Sequence, residues 1–203
     1  KVNALSNKVS ELGMPAIAVT EQGNTFSAVK FYRAMQQQGV KPIIGAEIKL
    51  VHSDIDETSN IVLLCQHIEG FQNLSRIITK SYTEGQHRGN PLVQFDWLKE
   101  NNEGLIAIDC VEAGSFAETL LLQDDAKIKA NIEKWLSIFP NRYYFELLRI
   151  DKKGQAEHIN SAVDYATEFS VPVVATNNVR FINEDDFELL ADALTEVAED
   201  EEE

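Results

Sequence analysis

Residues 13–24 read GMPAIAVTEQGN, which combines a short apolar run with the polar residues of a turn. Ala16 to Val19 is a short apolar run that follows a proline. The polar residues Thr20 to Asn24 come directly after it, which is the pattern of a buried strand that runs into a turn. Polar side chains at the carboxyl end of such a strand are typical of the sites of α/β folds.

A helix and a second strand are predicted after this turn. Asn24 or Thr25 is suited to cap the helix, which we expect to run to about Gln38 because Gly39 supplies a C-terminal stop. The apolar run that begins at Lys41 and reaches Ile48 predicts the second buried strand. The start of the chain is therefore one strand–helix–strand unit.

The rest of the chain repeats this alternation of apolar runs and helical patterns. Thr83 to Gln94 is rich in glycine and charge, and we expect it to be a mobile loop. Six buried runs predict parallel strands joined by right-handed helical crossovers, in a sheet that is either open or closed. The other predicted elements are strands at 61–65, 104–108, 143–148 and 171–176, and helices at 2–12, 70–82, 96–99, 115–122, 126–138, 155–169 and 184–198.

Length and composition fit one globular domain. The chain has 203 residues, of which 44% are hydrophobic, and this length suffices for one substantial core. No apolar run approaches the roughly 20 residues that span a bilayer, so we expect no membrane association. Cys65 and Cys110 both lie inside apolar runs, which is typical of reduced core cysteines in a cytoplasmic protein.

The charge is strongly acidic. The chain carries 33 acidic and 18 basic side chains, a net charge of −15. A domain that grips DNA needs a basic stripe because phosphate contacts supply most of the affinity, and none is visible. We therefore expect no direct nucleic-acid binding by this segment. The acidic block at residues 199–203 is expected to stay disordered.

The opening stretch also carries a family resemblance. Residues 13–24, followed by AVKFYRAMQQQGVKPIIGAEI, closely resemble the PHP (polymerase and histidinol phosphatase) domain of the alpha subunit of bacterial DNA polymerase III. The usual family wording is close to GMPALALTDHGN and AVEFYKAAKKAGIKPIIGCE. Residues 70–74, 139–147 and 172–181 continue the resemblance. It indicates a PHP domain at 1–187 and an acidic tail, helical or disordered, at 188–203.

The resemblance implies a particular α/β fold. PHP domains are distorted (β/α)7 barrels similar to TIM barrels. A strand with a His-x-His motif precedes residue 1 in the family, so we expect the first strand to be missing from this chain. Active members hold zinc or manganese with His, Asp, Glu and sometimes Cys side chains at strand ends, where the metal ions activate a water and stabilise the leaving oxygen.

The resemblance also allows each visible ligand position to be checked in this sequence. Only Glu47 can serve as a ligand, because amides are poor ligands for such cations, valine offers no lone pair and a guanidinium is permanently charged. Cys110 lies one position before a ligand position and is expected to point to the other face. The six positions are Gln22, Glu47, Asn60, Val111, Asn178 and Arg180.

We interpret these changes as a vestigial metal site. Our hypothesis is that the Arg180 guanidinium reaches the Glu47 carboxylate and replaces the charge of the metals, while Gln22, Asn60 and Asn178 hydrogen-bond around the pair. The alternative is that Arg180 points to solvent. Glu21 is expected to act as an acid at the N-terminus of the following helix, and the four histidines lie outside these motifs and receive no catalytic role.

Two functions remain open at this point. The resemblance implies a catalytically inactive scaffold that packs on the polymerase core of the same full-length chain and docks the proofreading 3′–5′ exonuclease subunit. Nucleotidyl transfer, which uses Mg²⁺, then belongs to another domain of that chain, and this segment carries no cofactor. The alternative is an active metal-dependent phosphoesterase, either an exonuclease or an enzyme like histidinol phosphatase.

Overall fold

The computed structural model describes residues 2–51, 58–110, 114–121, 124–149, 155–177, 179 and 181–183. The helices and strands alternate through most of these ranges. The helices are α1 (Val2–Glu11), α2 (Ala28–Gln37), α3 (Ile68–Thr83), α4 (Phe95–Glu100), α5 (Ser115–Leu121), α6 (Asp125–Ile138) and α7 (Gln155–Phe169). The strands are β1 (Ala16–Gln22), β2 (Lys41–Val51), β3 (Thr58–Cys65), β4 (Gln86–His87), β5 (Asn90–Gln94), β6 (Leu105–Cys110), β7 (Tyr143–Leu148) and β8 (Val173–Thr176).

The eight strands form one mixed sheet in which β2 is central. The order is β4-β5-β2-β3-β6-β7-β8, with β1 also paired to β2. β1 and β5 run parallel to β2, β3 is antiparallel to both β2 and β6, and β7 is parallel to β6 and β8. Within the described ranges the pairing does not return from β8 to β1. None of the described helices is long and apolar enough to cross a membrane.

The two faces of this sheet differ in burial. On β2, Ala46, Ile48 and Leu50 are fully buried, while Glu47 and Lys49 alternate with them on the opposite side. The buried side packs against α3, α6 and α7 and forms the main core. We call the opposite side the inner face. Its side chains are half-buried on most strands, and it includes the polar residues Glu47 and Asn60.

Two predictions about the strands were wrong. The third strand is antiparallel because only six residues, 52–57, connect β2 to β3, and a parallel pair needs a crossover of a dozen or more residues. The predicted loop at 83–94 contains the hairpin β4–β5. Arg88 and Gly89 form its two-residue turn, both with positive φ (48° and 81°), which is the backbone geometry favoured in such hairpins.

The start of α2 also differs from the prediction. The helix begins at Ala28, and its N-cap, Ser27, makes no side-chain capping bond. The Glu21 carboxylate accepts a hydrogen bond from the Ser27 backbone N–H at 2.9 Å, which confirms Glu21 as an acid at this helix terminus. The C-terminal stop is confirmed, since Gly39 follows the helix with φ 71°.

One carboxylate lies within the core side of the sheet. Asp109 on β6 is fully buried and accepts hydrogen bonds from the Tyr143 hydroxyl at 2.7 Å and from the Phe116 backbone N–H at 3.2 Å. The Tyr143 ring stacks on Trp135 with 5.5 Å between centroids. A Cβ at position 114 would overlap the Asp109 carboxylate, so this turn requires glycine. The carboxylate therefore joins β6, β7 and α5 at one point.

We expect the substitution Tyr143→Phe to lower the free energy of unfolding by about 2 kcal/mol, because it removes a hydrogen bond to a buried carboxylate. Burial, together with the Asp109 carboxylate, raises the pKa of Tyr143 well above its ordinary value of 10.0. Its contribution to stability is therefore complete below pH 10 and is lost as the pH rises through the pKa of the folded state. Urea unfolding at several pH values measures both effects.

Tyr144→Phe is the matched control, because Tyr144 lies on the inner face. It should change stability by less than about 0.5 kcal/mol. Equal losses in the two variants would contradict the assignment of a stabilising hydrogen bond to Tyr143.

Candidate functional site

The inner face brings Gln22 and Glu47 together at the end of β1. Gln22 is the register partner of Glu47 in the parallel pair β1–β2. The Gln22 side-chain amide donates a long hydrogen bond of 3.5 Å to Glu47 Oε2, and the Gly23 backbone N–H donates to the Glu47 backbone carbonyl at 2.8 Å. The Glu47 side chain is half-buried, and the Gln22 amide contacts it at one of the predicted positions of the vestigial site.

Asn60 lies on the same face, one strand further along. It pairs with Lys49 on β2, while Glu47 pairs with Val62, so Asn60 and Glu47 are diagonal neighbours. Such neighbours are about 7–8 Å apart, which is beyond a direct hydrogen bond between short side chains. Three of the six predicted positions therefore lie on adjacent strands of one face.

The other three predicted positions are Val111, Asn178 and Arg180. They lie outside the described residues. The ion pair between Arg180 and Glu47 therefore stays a prediction.

The loop after β1 is held by its own polar groups. The Asn24 side chain donates to the Gln22 backbone carbonyl at 2.9 Å and accepts from the Phe26 backbone N–H at 3.0 Å. Together with the contact between Glu21 and Ser27, these bonds fix the chain between β1 and α2. Glu21 is engaged at the helix terminus, so it does not join Glu47 on the inner face.

Sequence reasoning missed three further residues of the inner face. The register of β6 places Cys110 beside Glu146 of β7 and on the same face as Glu47, so the prediction that Cys110 points away from the site was wrong. The Thr176 hydroxyl donates to Glu146 Oε1 at 2.6 Å. The signal was present in the sequence, since Glu146 is the one charged residue of an otherwise apolar strand, YYFELL.

The two cysteines are both in the thiol form, as predicted. Burial raises the pKa of the Cys65 thiol to about 11. Cys65 packs against the main core from its edge and is partly exposed. Its thiol is therefore a poor nucleophile and a poor metal ligand at neutral pH.

Among the residues that the structure describes, the donor set on this face does not fit a cluster of divalent metal ions. Glu47 contributes one carboxylate, and Gln22 and Asn60 contribute amides. Glu146 lies three strands from Glu47, about 14 Å along the sheet. No three His, Cys, Asp or Glu side chains of the described residues are grouped as a metal site requires. The arrangement can hydrogen-bond one carboxylate, but it supplies too few anionic or imidazole ligands to hold zinc or manganese.

Comparison with known proteins identifies the family. The PHP domain matches residues 1–149. The chain belongs to the PHP family. Over 189 residues, 93% of its length, it is 41% identical to DNA polymerase III subunit alpha of Pseudomonas aeruginosa. The Escherichia coli (strain K12) protein of the same name is 37% identical over 190 residues. The PHP chain spans only 16% of the length of either relative.

Solved structures agree with the fold. A protein classed provisionally as a metal-dependent phosphoesterase, from Bifidobacterium adolescentis, superposes with a TM-score of 0.59 at 12% identity, over 86% of this chain and 80% of that one. An amidohydrolase from Chromobacterium violaceum gives a TM-score of 0.50 at 11% identity, over 89% of this chain and 82% of that one. At these identities the likeness concerns the fold alone, and it confirms the predicted α/β class.

Histidine substitutions on β1 and β3 test whether the predicted positions Gln22 and Asn60 can group with Glu47 as metal ligands. We expect the double variant Gln22→His and Asn60→His to bind zinc at least about tenfold more tightly than the original chain, because two imidazoles and the Glu47 carboxylate make a three-ligand zinc set. Isothermal titration calorimetry with Zn²⁺ measures the difference.

Adding Glu47→Ala to this double variant should remove the gain. Zinc affinity that is equal in the original and restored chains, or insensitive to Glu47→Ala, would contradict the grouping of the three positions.

Proposed function

We propose that this chain is the catalytically inactive PHP domain of a bacterial DNA polymerase III alpha subunit. In this role it is a scaffold that packs on the polymerase core of the same full-length chain. The observation that supports the proposal best is the contact between the Gln22 amide and the Glu47 carboxylate, because the resemblance predicts a metal-binding imidazole at position 22. The relatives, which share 37–41% identity with this chain, supply the polymerase context.

The electrostatics of the inner face support the loss of hydrolysis. A hydrolytic metal centre needs ligands whose negative charge offsets the ions, and Gln22 and Asn60 are neutral. The Glu47 carboxylate is half-buried and accepts an amide hydrogen bond, which satisfies it in part without a cation. The predicted approach of Arg180 would complete the compensation and would repel divalent ions.

The remaining activities of the full-length protein lie elsewhere under this proposal. Nucleotidyl transfer with Mg²⁺ belongs to the polymerase domain, and this domain needs no cofactor of its own. The net charge of −15 disfavours a direct grip on DNA, so other parts of the polymerase hold the template. We also propose a cytoplasmic location, in keeping with a replication protein and with two cysteines in the thiol form.

The scaffold is also proposed to dock the proofreading 3′–5′ exonuclease subunit. We expect the purified chain to retain this subunit in a pull-down, because the resemblance gives docking as the role that a degenerate PHP domain keeps. A variant carrying Gln22→His and Asn60→His is measured beside it and reports whether the inner face contributes to this retention.

If neither this chain nor the full-length alpha subunit retains the exonuclease subunit, the proposed docking role is wrong. Retention by the full-length subunit alone would place the docking surface outside this chain.

The alternative function is an active metal-dependent phosphoesterase. The observation in its favour is that Glu47, the one predicted ligand, lies on β2 beside the carboxyl end of β1, on the inner face, with its side chain partly accessible. This reading requires further ligands from outside the described residues to complete the metal centre.

The two functions are distinguished by metal content and hydrolysis in the full-length protein. We expect less than stoichiometric zinc and manganese by elemental analysis, because the visible positions supply one ligand. Release of phosphate from a phosphomonoester and of nucleotides from single-stranded DNA should stay at background with either metal added. Stoichiometric metal, with an activity that Glu47→Ala abolishes, would establish the phosphoesterase instead.

A further inference from the structure

A lysine lies beside two of the predicted positions on the inner face. Lys49 follows Glu47 by two residues on β2, and because side chains alternate along a strand it is on the same face. Asn60 on β3 is its register partner. On the other side of β2 its register partner is Leu92 of β5, which is buried and apolar. Glu47 and Asn60 are therefore the immediate polar neighbours of Lys49 in the sheet.

These residues occupy the corners of a small patch on β2 and β3. Glu47 is opposite Val62, and Lys49 is opposite Asn60. Opposite residues are about 4.5–5.5 Å apart, and residues two apart along a strand are about 7 Å apart. A metal ion held by side chains at the diagonal positions 47 and 60 would lie between the other two corners, which are Lys49 and Val62. The Lys49 side chain is thus a neighbour of any ion bound there.

The Lys49 ammonium group keeps its positive charge on this face. Within the described ranges Lys49 forms no ion pair, and its side chain is exposed. A lysine ammonium group is a compact charge with three hydrogen-bond donors and no acceptor, so it cannot act as a metal ligand. The nearest carboxylate along β2 is that of Glu47, which accepts the long hydrogen bond from Gln22.

We propose that Lys49 excludes divalent cations from the inner face and supplies the positive charge that balances Glu47. This inference rests on the inactive state proposed above and extends it to a residue outside the six predicted positions. The charge of Lys49 acts independently of the predicted approach of Arg180. Restoring histidine ligands at positions 22 and 60 would therefore recover only part of the affinity for a metal ion.

The expected effect follows from the distances along β2. At about 7 Å, repulsion between one and two unit charges weakens binding about sevenfold even at the dielectric constant of bulk water. The half-buried surroundings of Glu47 lower the effective dielectric constant and strengthen the repulsion. Lys41 is a contrast on the same strand, because it is exposed on the same face but lies six residues before Glu47, about 20 Å away. At that distance the repulsion changes affinity by less than about twofold.

The test adds Lys49→Met to the double variant Gln22→His and Asn60→His. Isothermal titration calorimetry with Zn²⁺ at an ionic strength of about 0.01 M should show a gain in zinc affinity of at least about fivefold. Lys49→Arg keeps the charge and should leave the affinity of the double variant unchanged. Raising the ionic strength to about 1 M should remove most of the gain, because the Debye length falls to about 3 Å.

Lys41→Met in the same double variant is the matched control, and it should change zinc affinity by less than about twofold. Both lysines are exposed, so circular dichroism should be unchanged in either variant. An equal gain with Lys41→Met and Lys49→Met, or a gain that is insensitive to salt, would overturn the role of Lys49.

The same titrations separate this inference from the proposed function. Zinc affinity that Lys49→Met leaves unchanged would overturn the role of Lys49 while the proposed inactive state stands. Stoichiometric zinc in the original chain, with Lys49 in place, would overturn the proposed inactive state and the role of Lys49 together.

Discussion

The alternation of side chains along the central strand β2 constrains everything else in this structure. Ala46, Ile48 and Leu50 must face the helices because the sheet has only one side on which α3, α6 and α7 can cover them. Glu47 is then obliged to lie on the inner face, and its partner across β1 is fixed as Gln22. A register shift of one residue would bury the carboxylate and expose the apolar set, so the site geometry follows from core packing.

Much of the fold could be predicted from apolar periodicity, and the failures have specific causes. β7 and α7 have the bounds that the patterns predict, because long runs with one clear period leave little choice. The direction predicted for β3 was wrong because periodicity carries no information on strand direction, and the short connection 52–57 cannot hold a crossover helix. The hairpin β4–β5 was missed because its Arg88-Gly89 turn lacks the Asn-Gly or Asp-Gly signal that marks such turns.

The neighbours of a site residue could be predicted from the sequence where both residues lie on the same pair of adjacent strands. Gln22 and Glu47 meet as the strand–helix–strand unit implies, since residues at the ends of neighbouring parallel strands are adjacent. Cys110 and Glu146 could not be placed in this way. Their face depends on the pairing register of β3, β6 and β7, which apolar periodicity does not specify. Long-range register is a property of the whole sheet.

If the site is inactive as proposed, two carboxylates on opposite faces explain how a PHP domain can lose its metals and keep its fold. Asp109 is enclosed by the core and depends on Tyr143 and the Phe116 N–H, so its surroundings have little freedom to change. Glu47 is half-buried, contacts one amide at 3.5 Å and takes no part in the apolar core. Neutral substitutions around Glu47 therefore leave the helix-facing core intact. Loss of metal ligands from the inner face would therefore lower the stability of the fold only a little.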